Sequence, residues 1–150
     1  SLMDDFSRGF PGNSDWRGPT TIANDGGVFY FGTLTPFPLI PGAAQVYRLN
    51  AGGHYTLFAG GLTAVVGVAF DSAGRLYALE NTTCASPCFP TPFTGTVVRL
   101  NRDGTFATIA SGLMFPTAMT FGPDGNLYVS TFGFGGPPGA GTIVKVTIAG

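Results

Sequence analysis

The chain's 150 residues are enough for one domain that buries roughly two thirds of its unfolded surface. Seven Lys and Arg stand against eight Asp and Glu, and the cations scatter from Arg8 to Lys145 without a stripe, which excludes a nucleic-acid backbone as partner. No run of about 18 apolar residues is present to span a membrane.

With 24 Gly, 12 Pro and 14 Phe but only 10% charged residues, the chain is rich in turns and poor in solvating charge. Such a surface is expected to be covered by partners or glycans. Residues 1–17, with Asp4, Asp5, Gly9, Pro11, Gly12 and Asn13, read as an N-terminal arm rather than a strand pair. No charged-then-apolar leader stands at Ser1, so the expectation is a processed chain.

From Gly18 the chain repeats itself. Gly27-Val28-Phe29-Tyr30, Gly74-Arg75-Leu76-Tyr77 and Gly125-Asn126-Leu127-Tyr128 can be set beneath one another, at offsets of 47 and 51 residues. Downstream lie Val46-Tyr47-Arg48-Leu49, Val98-Arg99-Leu100-Asn101 and Val144-Lys145-Val146-Thr147. Tyr55 to Leu62 then matches Phe106 to Leu113 in the first two units alone. A period of about 40 to 50 residues in a β-rich chain predicts propeller blades. The fold class is all-β: three four-stranded antiparallel β-propeller-type blades, at 18–62, 63–113 and 114–150, the last stopping after its third strand. Strands Val66 to Phe70 and Leu76 to Leu79, and again Ala118 to Phe121 and Leu127 to Ser130, flank Asp- and Gly-bearing turns. Asp can bond its own backbone there and Gly supplies the positive φ. This turn duty accounts for Asp25, Asp71, Asp103 and Asp124, and His54 reads as a solvent-facing turn residue.

The loops after the second strands hold Phe37, Leu39 and Ile40 in the first unit, Phe89 and Phe93 in the second, and Phe132 and Phe134 in the third. Proline-stiffened and aromatic, these residues are expected either to form an interaction surface or to fold over the blade tops as core. The second loop carries Cys84 and Cys88, the only cysteines, which are too few for a four-ligand zinc site and are expected to close a small disulfide. Asn81-Thr82-Thr83 is an N-glycosylation sequon, which places a glycan on Asn81. No metal, cofactor or catalytic constellation is expected. Gly133-Phe134-Gly135-Gly136 opens no helix and so makes no phosphate cradle of the usual kind.

Gly18-Pro19-Thr20-Thr21, the loop from Thr35 to Ala44, the run Phe115 to Ser130, and Phe132-Gly133-Phe134-Gly135 with Gly139 to Val146 resemble proteins of the ScyD/ScyE family. That resemblance, over about Gly18 to Gly150, implies a six-bladed propeller of the NHL type, exported and associated with scytonemin production. This sequence is similar to its C-terminal half. Three blades do not close a ring, since propellers use about four to eight. The expected function is therefore a secreted or cell-surface binding and assembly module. It would self-associate into a ring or filament through its open blade edges, with 1–17 as a candidate donor arm, or pair with the missing half of the propeller. The alternatives are a lactonase-like or lyase-like propeller enzyme and a processed half of a larger one. In lactonases of similar fold, metal ligands would sit at the positions matched here by Thr33, Glu80 and Thr131.

Overall fold

A computed structural model describes residues 18–149; the arm at 1–17 lies outside the described residues. Eleven strands follow in order, with no helix among the described residues. The first blade is β1 (Gly18–Asp25), β2 (Val28–Leu34), β3 (Ala44–Leu49) and β4 (Tyr55–Leu62). The second is β5 (Val65–Phe70), β6 (Leu76–Glu80), β7 (Gly95–Leu100) and β8 (Phe106–Leu113). The third is β9 (Ala118–Phe121), β10 (Leu127–Thr131) and β11 (Thr142–Val146). Each sheet is an antiparallel meander, so the first two blades have four strands and the third has three.

The turns form for the reason their composition suggests. Asp71 Oδ1 accepts from the amides of Ala73 at 3.0 Å and Arg75 at 2.9 Å, and Gly74 holds φ +75°. Asp124 caps the amide of Asn126 and Asp103 that of Thr105 in the same way. The first hairpin differs: Asn24 Oδ1 takes the Gly27 amide at 2.8 Å, while Asp25 ends β1 opposite Val28. His54 is exposed, and its amide bonds the Asn50 side chain.

The fourth strands run to Leu62 and Leu113, because Gly61 (φ +81°) and Gly112 (φ +73°) take the left-handed conformation and absorb a bulge. One feature departs from the sequence reading. The third strand of the first blade sits one residue away from the alignment drawn above, while those of the other two blades agree with it. Pairing places Arg48 opposite Tyr30, Arg99 opposite Tyr77 and Lys145 opposite Tyr128.

The core lies between blades rather than within them. Tyr30 of the first blade packs on Phe70 of the second at 4.6 Å between ring centroids, among Val65, Val68, Leu76, Ala78 and Val98. One blade on, Tyr77 packs on Phe121 at 5.2 Å, beside Leu79, Val97, Leu127 and Val129. Every residue of β6 is buried because the second blade alone has a neighbour on both sides. Gly67 and Gly95 permit the close approach of the third blade: a Cβ on Gly95 would stand 2.5 Å from Pro116 Cγ.

Candidate functional site

Antiparallel connection brings the β2–β3, β6–β7 and β10–β11 loops to one end of the array, and the matched second-strand ends lie at that rim. Thr33 Oγ1 accepts from the Gln45 amide at 3.0 Å. Thr131 Oγ1 lies 2.6 Å from Thr142 Oγ1. Glu80 accepts from the Thr63 amide at 2.5 Å and from Thr96 Oγ1 at 3.0 Å. In all three blades, then, this side chain clamps the second strand to the start of the third. Burial pushes the Glu80 carboxyl above its ordinary value, against the two hydrogen bonds that pull it down. Among the described residues no three His, Cys, Asp or Glu side chains gather in a group that could hold a metal ion.

Asn81 is buried. Its side-chain amide donates to Pro116 O at 2.8 Å and its backbone amide to Ala64 O, tying the second blade to the entry of the third. A glycan on that nitrogen would have to break the bond and leave the interior. Thr20 Oγ1 makes the corresponding link from the first blade to Val65 O of the second.

The seven loop residues divide. Phe37, Ile40, Phe89, Phe93 and Phe134 are exposed, Phe132 is half-buried, and Leu39 is only 2% exposed. Leu39 belongs to the core: its amide bonds Cys88 O at 2.7 Å, and the two side chains pack with Ala64. Cys84 and Cys88 are disulfide-bonded, with Cα atoms 5.4 Å apart, and this loop carries Phe89 to a parallel stack on Phe37 at 6.4 Å. Phe134 leans on Phe115 at 4.7 Å. Phe93, Phe115 and Phe132 all hold positive φ, a costly conformation for a bulky side chain. Together the loops border an open concavity of about 210 Å³, lined by Leu34, Phe37, Pro90 and Phe134, with Thr20, Asn81 and Thr117 as polar members. Residues of all three connecting loops or their flanks line this one concavity.

No protein-family model matches the chain, and no curated protein does. Solved structures do. One assigned as a gluconolactonase superposes with a TM-score of 0.50 at 20% identity, over 82% of this chain and 47% of its own. The fold is that of propeller blades. A luciferin-regenerating enzyme (TM-score 0.49, 16% identity, 74% of this chain and 38% of its own) and a streptogramin B lyase (0.31, 17%, 80% and 63%) also match. The chain spans less than two thirds of each of these proteins. The likeness is one of fold, and the ScyD/ScyE resemblance rests on the sequence alone.

Proposed function

We propose that this chain is a blade module that acts outside the cell by joining further blades through its two end faces, with a second copy as the partner. The observation that carries this reading is the head-to-tail chemistry of the blades. Each blade offers its second-strand tyrosine to the next blade, as Tyr30 and Tyr77 do, and receives its predecessor's tyrosine beside Leu76 or Leu127. At the two ends the corresponding faces carry exposed apolar side chains. On the third blade, Tyr128 and Ile143 lie on the face turned away from the second, and Ile143 is 68% exposed. On the first, Ile22, Phe29 and Leu57 are exposed, while Phe31 beside them is buried.

These faces are unlike, so their union is head-to-tail: two copies would make a six-bladed ring if the rotation closes and a filament if it does not. Exposed apolar side chains grouped on one face mark interaction surfaces. An oxidising compartment fits the Cys84–Cys88 bond. What the lactonase and lyase neighbours act on does not pass to this chain at such identities.

Sedimentation of the purified chain at micromolar concentration tests the reading. Species of two or more copies are expected, and Ile22→Asp and Tyr128→Asp should each shift them towards monomer. A chain that sediments as a folded monomer at every concentration overturns it.

A further inference from the structure

The cations that the sequence spreads out are partly gathered by the fold. An open cleft of about 630 Å³ lies between the first and second blades, bordered by Arg75, Arg99 and Arg102 together with Phe58, Leu76 and Leu100. These are three of the seven Lys and Arg in the chain. The β5–β6 and β7–β8 turns set the cleft at the end of the array opposite the loop concavity, and none of its lining comes from the third blade.

The second blade alone assembles this set. The places of Arg75, Arg99 and Arg102 are taken by Val28, Arg48 and Ala51 in the first blade and by Asn126, Lys145 and Ile148 in the third. Lys145 is moreover paired with Asp124 at 2.8 Å. In the second blade Arg75 Nε is held by Asp71 Oδ2 at 2.6 Å, while Asp71 Oδ1 takes the amides of Ala73 and Arg75, so this guanidinium is fixed in place and its charge balanced. The Arg99 and Arg102 side chains have no hydrogen-bond or ion-pair partner among the described residues. The carboxylate beside Arg102 in sequence, Asp103, is engaged by the amide and hydroxyl of Thr105. Asp25 Oδ2 stands 3.9 Å from where a Cβ on Gly74 would lie, which leaves the side of Arg99 and Arg102 as the cationic one.

The apolar wall of the cleft is held as firmly as Arg75. Phe58 is 41% exposed, with its ring edge-on to Tyr30 at 5.0 Å, and Tyr30 in turn packs on Phe70. The cleft's volume falls within the roughly 300–1,000 Å³ of small-molecule sites. Two guanidiniums without a carboxylate match an oxyanion of two charges, which their forked donors can grip bidentately. We infer that this cleft is a binding site for a phosphate monoester with an apolar body, the phosphate at Arg99 and Arg102 and the body against Phe58 and Leu100. Cations gathered in one cleft make a pocket, not the track that a nucleic-acid backbone needs. The inference does not rest on the end-face reading, because the cleft lies away from both end faces and is probed separately.

Calorimetric titration of the purified chain with phenyl phosphate at about pH 8, where the ester is doubly charged, tests this. Saturable binding is expected. Arg99→Gln and Arg102→Gln should each weaken it about tenfold, the loss of one charge-assisted hydrogen bond. Lys145→Gln, which removes the same charge from the third blade, should leave the Kd unchanged. Phe58→Ala should weaken phenyl phosphate but not inorganic phosphate. Phenyl sulfate, of the same shape with one charge fewer, should bind more weakly than phenyl phosphate. Neither arginine is buried, so both variants should keep the native circular dichroism spectrum. No saturable binding of phenyl phosphate, an equal loss on Lys145→Gln, or equal binding of phenyl sulfate would overturn the inference.

Discussion

Glu80 is the only glutamate in the chain and sits at the loop rim, where a ligand role and a structural one make opposite forecasts. Its carboxyl is raised by burial, so the folded state holds the proton more tightly than the unfolded state does. The stabilising contribution is therefore complete below the unfolded carboxylate range and is lost as pH rises through the higher folded value. Gln keeps an acceptor for the Thr63 amide and a donor for Thr96 Oγ1, while removing the buried charge. Glu80→Gln should match the native chain in acid and exceed it in stability at neutral pH. Leu would leave the Thr63 amide, now 2.5 Å from a carboxylate oxygen, without a partner, which costs about 1–3 kcal/mol relative to Gln at any pH. Urea melts of the three proteins from about pH 4 to about pH 8 read both gaps, a window that spans the carboxylate titration. If Glu80→Gln is the less stable protein at neutral pH, or if its gap to the native chain does not move with pH, the clamp assignment is wrong.

Two further outcomes follow from the loops. Replacing Cys84 and Cys88 by Ser should lower stability by about 2 kcal/mol, the loop-closure entropy for a separation of 4 residues, and chemical denaturation with and without reductant measures it. Phe93 is 64% exposed at φ +60°, so Phe93→Asn gives up little burial and relaxes the backbone; a gain of about 0.5–1 kcal/mol is expected in thermal melts, and a loss would show that the ring is held by something worth more than its strain.

The blades were legible because their signals are local: an Asp or Asn within a few residues of a Gly in each turn, and a tyrosine three residues beyond Gly27, Gly74 and Gly125. The exact strand register was not. Arg48, Arg99 and Lys145 each sit among apolar residues that fit the pattern equally well one place over, and only pairing with Tyr30, Tyr77 and Tyr128 fixes the choice. The loop residues divided for a similar reason. Leu39 and Ile40 are neighbours of the same chemistry, and what buries the first is a backbone bond to Cys88, far away in sequence. Asn81 satisfies its sequon, yet its partner Pro116 lies 35 residues on, in another blade. The clamp role of Glu80 was equally hidden, since its partners Thr63 and Thr96 flank it at long range.

That clamp has a bearing on how such a scaffold acquires new chemistry. A rim position served by threonine in the first and third blades and by glutamate in the second shows that the strand ladder accepts a hydroxyl or a carboxylate there with the same geometric result. Each blade thus holds one polar position at the same mouth whose identity can drift while the sheet stays closed. Substituting carboxylates at Thr33 and Thr131 would set an acidic group at the equivalent place of each of the three blades, without lengthening a loop or moving a strand.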